Sequence, residues 1–504
     1  MRRIAGLSKR KPLKRPAAQV TKTPPKSGKR KRAASGKKTK RGAGQPAPQI
    51  PAYHVIDICF EGIQRDDLVI NRRQFPAHMR ADLQPAFEEL FVKDADYVIG
   101  VLPSYHSERL SFARLMHRDR QEPVAIGPLQ YADVDIGEEN PARCFENALV
   151  LRDSAPIPHA VFLMHVWEHG ENPLLTVEIA VPRDREGAHE FVQDCFRRLE
   201  QAIAQSRAYR GKVLSLEKAE HYTGRTRGIL VHRIPRVAPD AVILPEAARR
   251  LLDRNVIDFM QARESLRALG LQTKKGILLY GPPGTGKTHT IRYLASNLSG
   301  ITTLIITAGQ VGLLAQYMTL ARLLQPSMVV IEDVDLIARS REAMQGGCEE
   351  VLLNRLLNEM DGLQENADVL FVLTTNRPQD LEAALAQRPG RIDQAIEVPL
   401  PDMGCREKLV RLYSRGLKLS PALVAEAAKR TEGVSAAFIK ELMRRTAQAA
   451  LARGGAGGAA RKAGEPSSAR ESVQPTEADL GEALDDMLFS GGKLNVTLLG
   501  GAAA

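Results

Sequence analysis

Apolar positions recur along this chain with two different periods. Residues 54–60 and 96–102 are short apolar runs that predict strands, and 148–151, 160–167 and 174–181 add three more. Phe191, Cys195, Leu199 and Ile203 then repeat every four residues, which predicts an amphipathic helix over 187–207. Three further runs, 276–280, 327–331 and 368–373, are almost wholly apolar and of strand length, the mark of buried strands. Ile291, Leu294 and Leu298 give 289–298 a helical period. Segments 404–414, 421–431 and 435–451 read as three more helices, and Thr476 with Asp479 three residues later opens a last one ending near Met487. Residues 454–475, rich in Gly, Ala and Ser, predict a flexible insertion.

The buried strands lead into chemistry. After 276–280 comes Gly281-Pro282-Pro283-Gly284-Thr285-Gly286-Lys287-Thr288, which fills every fixed position of G-x-x-x-x-G-K-[ST], and His289 follows in the predicted helix. Glycines let the backbone curl around a polyphosphate, its N–H groups point inward, and the following helix aims its positive end at the same charge. Lys287 is placed to reach the β- and γ-phosphates, and the Thr288 hydroxyl to ligate Mg²⁺. Residues 281–289 are therefore the candidate nucleotide-binding set. Run 327–331 continues into Glu332-Asp333-Val334-Asp335, expected to lie parallel to and beside the first strand, with one carboxylate on the metal side and its neighbour polarising water. Run 368–373 ends in Thr374-Thr375-Asn376, whose amide can orient water from the other side.

With those motifs in place, the sequence resembles the AAA ATPases. Leu356-Leu357-Asn358-Glu359-Met360-Asp361-Gly362-Leu363 is similar to that family's LL-x-EMDGL helix. Thr374-Thr375-Asn376-Arg377-Pro378 resembles its sensor 1, and Leu385-Ala386-Gln387-Arg388-Pro389-Gly390-Arg391-Ile392-Asp393 resembles its arginine-finger signature. The resemblance covers about residues 242–487. It implies an α/β P-loop NTPase: a parallel sheet with helices on both faces and a small C-terminal helical lid. It also implies ATP with Mg²⁺ at Thr288 and Glu332, and a homo-oligomeric ring, usually a hexamer, that remodels a protein client. Catalysis would fall to Lys287, Glu332, Asp333 and Asn376, with Arg388 and Arg391 reaching the adjacent subunit's γ-phosphate. The expected division is a basic tail over 1–50, an α+β or α/β client or adaptor domain over 51–237, the ATPase core over 238–403, a lid over 404–490 with its insertion at 453–475, and a tail over 491–504.

Several positions depart from the family pattern. The order Glu332-Asp333 reverses the usual Asp-Glu, so by position Glu332 takes the metal side and Asp333 the water, with a reach shorter by roughly 1 Å. Tyr317-Met318 falls near the family's pore loop, but Thr319 replaces its glycine. A helix packing Leu313, Leu314, Tyr317 and Leu320 reads the same residues equally well. Gly433-Val434-Ser435-Ala436-Ala437-Phe438-Ile439 resembles G-x-S-G-A-D-I with Ala436 and Phe438 substituted, and 255–258 occupies the adenine-side linker with Asp258 in place of glycine. No H-E-x-x-H occurs, which argues against the family's membrane-bound metalloprotease branch.

Charge adds one partner class. Residues 1–50 hold 17 Lys/Arg and no Asp/Glu, leaving 54 basic against 59 acidic residues elsewhere, a net charge of −5 behind a chain average of +12. That tail cannot bury enough apolar surface to order itself, so disorder is expected, with nucleic acid or another polyanion as its electrostatic partner. A nucleic-acid-associated ATPase and a slow ATP-binding switch are accordingly the alternatives to a protein remodeller. Cys59, Cys144, Cys195, Cys348 and Cys405 show no C-x-x-C spacing, and neither a signal peptide nor an apolar run of ~20 residues is visible, which points to the cytoplasm and no membrane span. His165 and His169 would share a strand face with Trp167, compatible with a metal pair or with an ordinary surface strand.

Overall fold

A computed structural model of the chain describes residues 50–102, 110–118, 123–166, 174–205, 208–216, 229–335, 356, 358–360, 362, 367–379, 391–455 and 474–488. The basic tail, Cys348, Arg388, His169, most of the insertion and three residues of the L-L-N-E-M-D-G-L segment (357, 361 and 363) lie outside these residues. Contacts divide the chain into two units, one of residues 1–132 and 143–200, the other of 133–142 and 201–504.

The first unit is an α+β domain. Its strands are β1 (Leu68–Pro76), β2 (Tyr97–Leu102), β3 (Ala125–Gly127), β4 (Gln130–Val134), β5 (Ala142–Arg152), β6 (His159–Val166) and β7 (Leu174–Pro182). They form one sheet in the order β1-β7-β6-β5-β2-β3, with β4 pairing β5. The described register of β1, β7, β6, β5, β2 and β3 is antiparallel throughout.

The run 54–60 is corrected from strand to helix: it lies in α1 (Ala52–Cys59). Ala52, Val55, Ile56 and Cys59 are buried at i, i+3, i+4 and i+7, a helical stripe that a short apolar run does not reveal. That stripe packs with Phe112 and Leu115 of α3 (Phe112–Met116) onto Leu149, Phe162 and Met164 of the sheet. Between them comes α2 (Arg80–Phe87). The amphipathic helix is α4 (Ala188–Ala204), burying Val192, Cys195, Phe196, Leu199 and Ile203.

The second unit carries the expected parallel sheet, with additions. Its strands are β8 (Val213–Leu216), β9 (Ile229–His232), β10 (Lys275–Tyr280), β11 (Thr302–Ile306), β12 (Ser327–Ile331), β13 (Val369–Thr375) and β14 (Gln394–Glu397), in the order β14-β10-β13-β12-β11-β8-β9. All neighbours are parallel except β8 and β9, an antiparallel pair at the edge. The sequence puts a boundary at 237, whereas β8 and β9, both before it, extend the ATPase sheet beside β11. Four residues each are too short to announce which sheet they join.

The acidic strand β12 is also not beside β10, because β13 lies between them. Sequence order cannot show this; the chain passes from β10 through a helix to β11 at the far side and fills the gap last. Along β10, Ile277 and Leu279 share a core with Ile291 and Leu294 of α7 (Lys287–Asn297), Leu252 of α5 (Glu246–Leu252) and Met260 of α6 (Phe259–Ala268).

Residues 314–323 form α8 (Leu314–Leu323), packed on β11 and β12. Tyr317 and Met318 are wholly buried there, so the packed-helix alternative holds and the pore-loop one does not. The Tyr317 hydroxyl accepts the Leu216 N–H at 2.7 Å and is pushed up to about 12 by burial.

The lid is α9 (Met403–Tyr413), α10 (Pro421–Arg430), α11 (Ala436–Gly455) and α12 (Glu477–Leu488). Phe438, the substituted position, is a core residue of this bundle with Leu409, Val424 and Leu484. Thr476 caps α12 reciprocally: its N–H and hydroxyl donate to Asp479 Oδ2, and the Asp479 N–H donates back to Thr476 Oγ1. Tyr317→Phe should cost about 1 kcal/mol of stability and Tyr317→Ala about 3–5 kcal/mol, read by urea unfolding; a smaller loss for Ala than for Phe would contradict the burial.

Candidate functional site

Strand β10 runs into the glycine loop at the C-terminal edge of the sheet, and the loop's shape depends on glycines. Gly281, Gly284 and Gly286 have φ of 147°, 76° and 106°. A Cβ on Gly281 would sit 2.2 Å from the Val398 carbonyl oxygen, so the loop threads a gap only glycine fits. The Thr285 hydroxyl donates to the Pro282 carbonyl at 2.9 Å and ties the turn together, while Pro282 and Pro283 are exposed. Lys287, 6% exposed, donates from Nζ to the Gly281 and Pro282 carbonyls at 2.8 and 2.9 Å. Burial pulls its pKa below the usual lysine value, against the opposing pull of Asp333 and Asp335. His289 Nε2 donates to the Ala241 carbonyl at 3.1 Å, tying the loop's helix to the segment before α5.

The carboxylates meet this loop although their strand is two places away. The Thr288 hydroxyl lies beside the Glu332 carboxylate, whose pKa is pushed up chiefly by burial, with the hydroxyl opposing and the Asp333 charge adding to the rise. A hydroxyl and a carboxylate side by side form the hard-oxygen donor pair that Mg²⁺ takes, beside a lysine and a glycine-rich loop suited to phosphate. Asp333 follows at φ 50°, the only described non-glycine residue in the left-handed region. Its N–H donates to Thr374 Oγ1 at 3.0 Å, and its Oδ1 accepts from Asn376 Nδ2 at 3.2 Å. The structure thus brings Asp333 and Asn376 together, as their motifs imply.

Asp335 is the residue that sequence reasoning passed over. It is 3% exposed, and its Oδ1 accepts from the Thr375 hydroxyl at 2.8 Å and the Asn376 N–H at 3.2 Å. The carboxylate therefore fixes the backbone that carries the Asn376 amide. Its signal was its position two residues after Asp333 at the end of an apolar strand.

Two other candidates fall elsewhere. Arg391 lies against the N-terminal end of β10, where a Cβ on Gly276 would be 1.9 Å from its carbonyl oxygen. Five strand residues, about 16 Å, separate that point from the loop. The Asn255 side chain accepts from Lys275 Nζ at 2.9 Å, also at the N-terminal end of β10, so 255–258 is not gathered at the phosphate loop. The lid does reach it: the Ala437 N–H donates to the Gly284 carbonyl at 3.1 Å, and a Cβ on Gly284 would press on Ser435 Oγ at 2.8 Å. Among the described residues, no group of three or more His, Cys, Asp or Glu is placed to hold a metal, and His165 faces Glu146 at 3.8 Å.

Two expectations follow. Because the folded-state pKa of Glu332 is raised, its ionisation costs stability above that pKa and the cost vanishes as pH falls below the unfolded value. Glu332→Gln should therefore raise the nucleotide-free melting temperature at pH 7–8, with a gain that shrinks on acidification; a gain that grows at low pH would reverse the assignment. Asp333→Glu, which lengthens the side chain on a left-handed backbone that Asp tolerates better than Glu, should lower turnover by roughly tenfold or more, not raise it.

Residues 277–400 match the ATPase family associated with various cellular activities (AAA). Among curated proteins, the ATP-dependent zinc metalloprotease FtsH 2 of Symbiobacterium thermophilum is 37% identical over 212 residues, covering 40% of this chain and 36% of that protein. The chloroplastic FTSH 6 of Arabidopsis thaliana is 36% identical over 211 residues, or 40% and 30%. FtsH 3 of Sphaerobacter thermophilus is 33% identical over 260 residues, 49% of each. The chain spans about a third to a half of the length of these relatives. The metalloprotease branch set aside from the sequence is the one these names carry, and the likeness covers less than half of this chain. The chain carries a single AAA module, with a separate N-terminal unit.

Proposed function

We propose that this protein is a Mg²⁺-dependent ATPase that works as a homo-oligomeric ring, usually of six subunits in this family, and remodels a protein client. The observation that carries the reading is the joining of two motifs at one sheet edge: Thr288 to Glu332, and Asn376 to Asp333. Bound ATP and Mg²⁺ supply the transferable phosphoryl group and the charge that neutralises it. Lys287, with the backbone N–H groups of residues 284–288, would hold the phosphates, and Thr288 and Glu332 would hold the metal side. Asp333 accepts the proton of the attacking water, and the Asn376 amide, bonded to Asp333 and seated by Asp335, orients that water. Arg388 and Arg391 stabilise the developing charge on a neighbour's nucleotide. Placement of Arg391 at the far end of β10 from its own loop supports action in trans.

A protein client is supported by the relatives, whose names make them ATP-dependent proteases. The burial of Tyr317 and Met318 speaks against threading by that Tyr-Met pair. Nucleic acid has support only in the composition of residues 1–50. The test is the doubly substituted Glu332→Gln, Asp333→Asn protein. It should bind ATP within a few-fold of wild type, turn over at least ~10²-fold more slowly, and retain a nuclease-resistant protein partner that the purified wild type answers with faster turnover. Stimulation by DNA or RNA that is lost on deleting residues 1–50 would overturn the client assignment, and unchanged turnover in Lys287→Ala would overturn the ATPase.

A further inference from the structure

Strands β12 and β13 pair main chain to main chain as far as Ile331 opposite Leu373. Beyond that pair, at the edge where the acids gather, side chains take over. The Asp333 N–H donates to the Thr374 hydroxyl oxygen at 3.0 Å, and Asn376 Nδ2 donates to Asp333 Oδ1 at 3.2 Å. Thr375, between these two, sends its hydroxyl instead to Asp335 Oδ1 at 2.8 Å. Such alternation is that of an extended strand, whose successive side chains leave by opposite faces. Thr374 is 2% exposed, and its main chain stands opposite Leu279 in β10, the strand that opens the phosphate loop. Glu332, one residue before Asp333, sends its N–H the other way, to the Ile306 carbonyl of β11 at 3.0 Å. The two consecutive acids are thus anchored to different neighbours, Glu332 through a main-chain carbonyl and Asp333 through one hydroxyl.

From this geometry we infer that Thr374 is a positioning residue for Asp333, which rests on the reading of Asp333 as the acceptor of the water's proton. Asp333 has φ of 50°, a left-handed conformation that an aspartate tolerates but does not prefer. Turned that way, its N–H is taken up by a side chain, and a partly buried N–H left without an acceptor would be costly. Thr374 at the N–H and Asn376 at Oδ1 then hold a short residue from both ends. Aspartate has two side-chain torsions where glutamate has three, so the place of its backbone dictates the place of its carboxylate. The order Glu332-Asp333, which puts the shorter acid on the water, gives a backbone anchor that much more leverage. Threonine suits the task because its oxygen accepts while its branched Cβ suits a strand. Serine keeps that oxygen, whereas valine keeps the shape and loses it.

The experiment separates turnover from nucleotide binding in the full chain. Thr374→Val should lower kcat by about tenfold to a hundredfold, the scale of a misplacement of roughly 1 Å at a reacting group. Nucleotide affinity, read with a fluorescent ATP analogue, should stay within about threefold of wild type, because the phosphate loop is untouched. Thr374→Ser, which keeps the accepting oxygen, should retain at least about a third of wild-type kcat. Asp333→Asn removes the proton acceptor while keeping a residue at ease in the left-handed region. Adding Thr374→Val to Asp333→Asn should make the protein no slower than Asp333→Asn alone, because a residue that acts only through that carboxylate has nothing left to position. Multiplying losses in the double variant, or a collapse of nucleotide affinity in Thr374→Val, would show a merely structural role and overturn the inference. So would a Thr374→Ser protein as slow as Thr374→Val. Full activity in Thr374→Val beside an impaired Asp333→Asn would sink the inference while sparing the proton-acceptor reading. Full activity in Asp333→Asn would sink both.

Discussion

One electrostatic problem governs the C-terminal edge of the second sheet: a lysine and three carboxylates must share a partly dry space without neutralising one another. Lys287 is buried and its charge is disfavoured by that burial, while Asp333 and Asp335 pull the other way. Glu332 is likewise driven toward its neutral form by burial and by the Asp333 charge. The protein's answer is to give each acid a different partner: Thr288 for Glu332, Asn376 for Asp333, Thr375 and the Asn376 N–H for Asp335. Each partner comes from a neighbouring strand or loop, so the sheet order and the charge pattern impose each other. Such a cluster is strained toward accepting a divalent cation and a polyphosphate, whose charges fit where the side chains alone do not.

Much of this was legible without coordinates, for physical reasons that differ by element. The loop could be read because its fixed positions answer to local backbone geometry: both glycines that the pattern demands, Gly281 and Gly286, have positive φ, and Gly284 between them does too. That Asp333 and Asn376 both belong to the site followed from two apolar strands ending in polar residues, though their direct hydrogen bond did not. The lid helices appeared from their period and caps, down to the Thr476–Asp479 exchange. What stayed hidden was long-range. Nothing local says that β13 inserts between β10 and β12, that β8 joins β11, or that Gly276 is small because Arg391 passes over it. Residues 54–60 show the other failure, in which a run of seven is too short for its period to be decided by composition alone.

The N-terminal unit rests on different physics from the ATPase sheet. Its strands pair antiparallel, some as neighbours in sequence (β5, β6 and β7) and some across the unit (β1 with β7), and its buried Glu178 illustrates how charge is handled there. The carboxylate, 2% exposed, meets the Arg72 guanidinium at 2.6 Å and accepts the Phe112 N–H at 2.5 Å, so one acid both neutralises a strand neighbour and caps α3. A buried acid so paired tolerates neither loss of its arginine nor a shift of the helix. Ser111 caps the same helix through its hydroxyl, which makes the start of α3 doubly specified.

The hairpin of β8 and β9 has a consequence for how the ATPase part can be cut from the whole. Strand β11 would otherwise present a raw row of amides and carbonyls to the medium, and both it and its neighbour β12 are apolar and buried, a margin that can recruit foreign strands. By lying against β11, the hairpin moves the open margin out to a four-residue ribbon too brief to template anything. A fragment begun at residue 238 keeps every catalytic motif yet strips that bandage, and its self-association would then be a symptom of the excision, not a trait of the enzyme.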